Sequence, residues 1–122
     1  MGGVTMADFD QVFGQLRAIM LRAATGTTVA RDLPGDLELR TPAVDPKTGE
    51  PGWFGTVTVK KSYVAYHLMP LYEHPELADD LSESLAKRRQ GKTCFNFKRT
   101  DPALFAELEA LTTRGVQAVI AS

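Results

Sequence analysis

From Thr28 to Met69 the pattern of the chain changes to a period of two, interrupted by turn- and loop-forming residues. In "TVARDLPGDLELRT", two short segments flank Leu33-Pro34-Gly35-Asp36. Proline presets φ at the second turn position and glycine supplies a positive φ at the third, so this stretch predicts a hairpin. "WFGTVTV" and "YVAYHLM" are rich in β-branched and aromatic residues and are joined only by Lys60-Lys61-Ser62. They predict a second pair of strands. Between the pairs, "PAVDPKTGEPG" is Pro-, Gly- and Asp-rich and reads as a loop too short to link domains. Strands joined by such short connections pair antiparallel, because a parallel pair needs a crossover of a dozen or more residues.

Helical periodicity flanks this region. In "TMADFDQVFGQLRAIMLRAATG", Phe9, Val12, Phe13, Leu16, Ile19, Met20 and Ala23 recur at steps of three and four. Thr5 with Asp8 resembles a capping box, and Gly26 reads as the stop. Gly14 is unfavourable inside a helix and marks an expected close backbone approach. After Met69-Pro70 a helix is expected, with Pro75 at a first helical position and Leu77, Leu81 and Leu85 four apart. Ser82 caps a second short helix running to Gly91. "TCFNF" is a short strand, and "TDPALFAELEALTTRG" a last helix with Thr100 or Asp101 as cap and Gly115 as stop. The order predicts an α+β fold: one antiparallel sheet with the N- and C-terminal helices packed on one face. All 122 residues are expected to form a single domain. Met6 is an alternative start, which would make residues 1–6 a flexible or vector-derived leader.

Composition narrows the setting. A net charge of -1 gives no general pull toward nucleic acid or an anionic membrane. No apolar run approaches the roughly 20 residues of a transmembrane helix, and no signal peptide is visible. A single cysteine, Cys94, allows no intrachain disulfide. A cytoplasmic protein without nucleic-acid or membrane partners is expected, as a monomer or homodimer. No dinucleotide fingerprint, Walker A loop or C-x-x-C pair occurs, so nothing demands catalysis.

Alternation also sorts the polar residues. If Leu37, Leu39, Val57, Val59, Val64, Tyr66, Leu68, Phe95 and Phe97 face the helices, the other face collects Glu38, Arg40, Thr56, Thr58, Tyr63, His67, Cys94 and Asn96. A solvated sheet face is commonly polar. His, Cys, Asn and Tyr are nevertheless less usual there than Lys, Glu and Thr, and Cys tends to be buried. The expected site therefore centres on His67 and Asn96, with Cys94 beside them and Tyr63 and Arg40 as rim. Lys92 and Lys98 flank the strand, while Lys87, Arg88 and Arg89 suit the last turn of the preceding helix. Trp53, next to a Gly-rich loop, is assigned to a pocket rim or to sheet packing. His67, His74 and Cys94 are acceptable zinc-type ligands, but the histidines are seven residues apart on different elements, so no metal site is assigned. No catalytic residue is assigned either, since a strand thiol lacks an obvious activator. The expected role is binding a small ligand or a protein partner, with no established cofactor.

Two stretches, "YVAYHLMPLY" and "GKTCFNFKRTDPALFAEL", resemble the YdhG-like family of small bacterial domains, and the similarity runs from the first helix to Gly115. The shared pattern is an aromatic-His-Leu-Met-Pro strand end, then Gly-Lys-x-Cys-x-x-Phe-Lys and a final helix. The resemblance implies an α+β sandwich with an antiparallel sheet. Some members are frataxin-like, which implies iron binding or delivery to iron–sulfur cluster assembly. Such an iron site uses a carboxylate ridge on the first helix, and here that helix offers only Asp8 and Asp10 before Arg17 and Arg22.

Overall fold

A computed structural model describes residues 6–44, 46, 47 and 49–119. The proposed Thr5 cap lies outside them. Helix α1 (Met6–Ala23) precedes β1 (Thr28–Leu33), β2 (Asp36–Val44), β3 (Pro51–Val59) and β4 (Val64–Leu68). A broken segment follows: α2 (Pro70–Glu73), a 3-10 turn (Pro75–Ala78) and α3 (Glu83–Ala86). Then come β5 (Arg89–Gln90), β6 (Cys94–Phe97) and α4 (Pro102–Val119). The six strands form one sheet in the order β1-β2-β3-β4-β6-β5, and every pairing is antiparallel. The protein is α+β, as the alternation and the short connections require.

The first turn follows its sequence. Gly35 has φ 74° between the ends of β1 and β2, the positive φ that a Pro-Gly turn demands. Helices α1 and α4 contact each other and cover the same sheet face. Phe9, Val12, Leu16, Ile19 and Met20 from α1 meet Leu37, Leu39, Val57, Tyr66, Leu68, Phe95 and Phe97 from the strands. Leu104, Phe105, Leu108, Leu111 and Val116 from α4 complete that core. Phe97 and Phe105 pack edge to face with centroids 5.0 Å apart. The Tyr66 hydroxyl, fully buried, hydrogen-bonds the Thr112 hydroxyl at 2.6 Å. Burial pushes that phenol well above its ordinary pKa.

Several expected details are corrected. Gly14 is exposed and a Cβ there would meet nothing within 4 Å, so no close approach explains it. Gly115 does not stop α4: the helix runs through it to Val119. A Cβ at Gly115 would make ordinary contact with Pro70, at 3.4 Å, where α4 packs against α2. The stretch after Met69 breaks into short pieces instead of one helix, with Pro75 opening the 3-10 turn. Ser82 does cap α3, its hydroxyl accepting from the Leu85 N–H at 3.1 Å. Asp101 caps α4 in the same way, accepting from Leu104 N–H. However, α3 ends at Ala86, and Arg89 and Gln90 pair with Phe95 and Cys94. Gly91, with φ 71°, belongs to the β5–β6 turn instead of a helix end.

Strand β3 departs from strict alternation near its middle. Leu39 pairs with Gly55 and Arg40 with Trp53, so Phe54 is an extra residue in a β-bulge. Phe54 turns into the core, fully buried, while a Cβ at Gly55 would strike Met20 on the same side. Trp53 is thereby placed on the face away from the helices, opposite Arg40.

Candidate functional site: the uncovered sheet face and its end cleft

Register fixes what this second face displays. One row across it runs Arg31, Glu38, Thr56, His67, Cys94 and Gln90, each paired with the next. A neighbouring row runs Leu33, Asp36, Thr58, Ala65 and Asn96. Thr28, Arg40 and Trp53 align on the other side. Helices α1 and α4 pack their apolar residues against the opposite face.

His67 is half-buried in β4 between Thr56 and Cys94. Its Nε2 lies 2.8 Å from the Thr93 hydroxyl and 3.2 Å from the Met69 sulfur. The Leu68 N–H donates to the Thr93 carbonyl at 2.8 Å, which explains why Thr93 is held so near. Desolvation lowers the His67 pKa, favouring the neutral ring. The ring Nδ1 makes no hydrogen bond with the described residues.

Cys94 is the direct cross-strand partner of His67, and Asn96 pairs with Ala65, diagonal to the imidazole. The Cys94 thiol donates to Asn96 Oδ1 at 3.3 Å. Burial raises the thiol pKa, with partial opposition from Lys60 and the Phe95 backbone. Protonated and donating, this sulfur is a poor nucleophile at neutral pH.

Arg40 and Trp53 form a separate group. The Arg40 guanidinium lies 5.2 Å above the indole centroid, and its Nε donates to Glu38 at 2.8 Å. Glu38, only 7% exposed, also receives Arg31 at 3.0 Å, and Arg31 reaches Asp36 as well at 2.8 Å. Alternation alone does not place Arg31 on this face, because a bulge between Val29 and Arg31 shifts its parity. Arg40 on β2 and His67 on β4 are two strand spacings apart, about 10 Å, so Arg40 does not rim the same point. Tyr63 precedes β4 at the end far from His67, four residues and about 13 Å along the strand direction.

Lys92 and Lys98 are separated by the length of β6. The Lys92 ammonium lies 5.4 Å from the Tyr72 ring centroid. Lys98 lines a distinct cavity with Arg88, Phe97, Arg99, Thr100 and Asp101. His74 ends α2, half-exposed, with Nδ1 3.4 Å from Glu76. Among the described residues no three His, Cys, Asp or Glu side chains converge as a metal-ligand group.

A cleft of about 530 Å³ opens where the uncovered face meets α2 and the end of α4. Trp53 and Tyr72 line it at 53% and 63% exposure, with Met69, Thr41, Lys47 and Glu73. Met69 connects it to His67. Tyr72 and Met69 lie in the stretch that carries the family resemblance, but no periodicity marks them as site residues; the bulge that turns Trp53 outward and the break at Pro70 make this cleft. Comparison with family models, with curated proteins and with solved structures returns no match to this chain. No helix among the described residues is long and apolar enough to cross a membrane.

Proposed function

We propose that the protein is a binding domain that holds a small organic ligand in the cleft at the end of its uncovered sheet face. The carrying observation is the pair of exposed rings, Trp53 and Tyr72, lining one cleft, each with a cation over its face. Volumes of a few hundred Å³ suit small ligands, and rigid aromatic walls offer stacking area at little entropic cost. Arg40 and Lys92 favour a flat ligand bearing an acidic group. His67, with Nδ1 open and Nε2 anchored beside Met69, supplies a neutral hydrogen-bonding group at the inner edge. Cys94 and Asn96 set the polarity around that imidazole instead of contacting the ligand's ring. We place the domain in the cytoplasm, a reading supported by its lone unpaired cysteine. The test is a ligand-observed NMR screen with small aromatic carboxylic acids. Hits should compete for one site, shift the Trp53 indole resonance, and weaken about tenfold in Trp53→Ala and in Tyr72→Ala, worth ~1.4 kcal/mol each. Hits whose affinity is untouched by both substitutions would refute the reading.

A further inference from the structure

The densest basic stretch, Lys87 to Lys92 with Lys98 and Arg99, supplies none of the cleft's lining, although Lys92 lies over the Tyr72 ring, and folding divides the rest into two sets. One set is satisfied locally. Arg89 donates through Nε and Nη2 to the Lys92 carbonyl at 3.1 and 2.6 Å, and Lys87 faces Glu83 at 3.9 Å. The other set is drawn together by the β5–β6 hairpin. The Arg88 carbonyl accepts from the Asn96 N–H at 2.9 Å, which lays Arg88 beside the end of β6. Arg88, Lys98 and Arg99 then line one cavity of about 550 Å³ with Phe97, Thr100 and Asp101.

None of these three cations makes a hydrogen bond or ion pair with the described residues, although all are exposed. The contrast within the molecule is sharp: Arg17, Arg22, Arg31 and Arg40 each hold a carboxylate. The single acid in the lining, Asp101, is engaged in capping α4 through Oδ1. Three like charges around a concavity repel one another, and a bound anion removes that repulsion. Two guanidinium forks and an ammonium match the oxygens of a phosphate group, which carries nearly two charges at neutral pH. We propose that this cavity is a phosphate site for a small phosphate monoester, separate from the cleft at Trp53.

The test is an amide chemical-shift titration of the full chain with inorganic phosphate and with phenyl phosphate at constant ionic strength. Saturable shifts are expected at Arg88 and residues 98–101, with about tenfold weaker binding in Arg88→Gln/Arg99→Gln. The charge-matched pair Lys60→Gln/Lys61→Gln and the cleft variant Trp53→Ala should bind as the parent does. Because the three cations have no partner among the described residues, their replacement should leave the thermal midpoint unchanged. Arg99→Lys keeps the charge and removes the fork, and should weaken binding by about threefold or more. Shifts that never saturate, an equal loss in the Lys60/Lys61 pair, or full affinity in Arg99→Lys would each overturn the proposal. So would binding here of a single-stranded oligonucleotide without binding of either phosphate.

Discussion

His67 gathers most of the chemistry that single residues carry here. Its folded pKa lies below the ordinary imidazole value because burial disfavours the charged ring. Above about pH 6.5 both folded and unfolded chains hold it neutral, and it contributes nothing to pH dependence. As pH falls below that value, the unfolded chain takes up a proton that the folded one resists, so stability declines toward the folded pKa. The urea midpoint should therefore drop between pH 7 and pH 5, and His67→Gln should flatten that segment. The carboxylates held by arginine, Asp32 and Glu109, have lowered pKa values and act at more acidic pH, outside this window. An unchanged pH slope in His67→Gln would mean that the ring is not desolvated. The residue's outward direction was legible from alternation, since Tyr66 and Leu68 both enter the core. Its partners were not: Thr93 is 26 residues away in sequence, and only strand pairing brings it close.

At the scale of elements, two glycines make opposed predictions for one substitution. A Cβ on Gly55 would meet the His67 carbonyl at 2.7 Å and the Met20 methyl at 2.8 Å. Backbone cannot yield as a flexible side chain can, so Gly55→Ala should destabilise by about 1–3 kcal/mol. A Cβ on Gly115 reaches only ordinary contact with Pro70, at 3.4 Å, while gaining helix propensity. Gly115→Ala should be neutral or stabilising by up to ~1 kcal/mol. Chemical denaturation of both variants checks the pair, and a Gly55→Ala protein as stable as the parent would contradict the bulge geometry. Regular elements such as Leu37–Leu39 and Phe95–Phe97 were readable because side chains alternate wherever ladders are unbroken. Trp53 was ambiguous because one inserted residue, Phe54, reverses the parity N-terminal to it. Strand β5 left no trace, since two residues are too few to show a period, and pairing with β6 overrode the helix-like run before Gly91.

For the molecule as a whole, what matters is which charges remain free after folding. A divalent cation such as iron(II) needs several oxygen ligands to offset its dehydration. Folding spends many of the carboxylates elsewhere: Asp32 on Arg17, Glu109 on Arg22, Asp36 and Glu38 on Arg31 and Arg40, Glu107 on Ser82. On α1, the surface where a frataxin-like ridge would stand, Asp8 and Asp10 are exposed, and the helix then turns to Arg17 and Arg22. Arg88, Lys98 and Arg99, by contrast, make no ion pair with the described residues and line one cavity. Anaerobic calorimetry with iron(II) should accordingly show no saturable binding in the micromolar range. The same instrument, with inorganic phosphate as titrant, should show saturable heat. Stoichiometric micromolar iron binding that disappears in Asp8→Asn/Asp10→Asn would reverse this ordering and move the functional surface from the sheet and its cavities to the first helix.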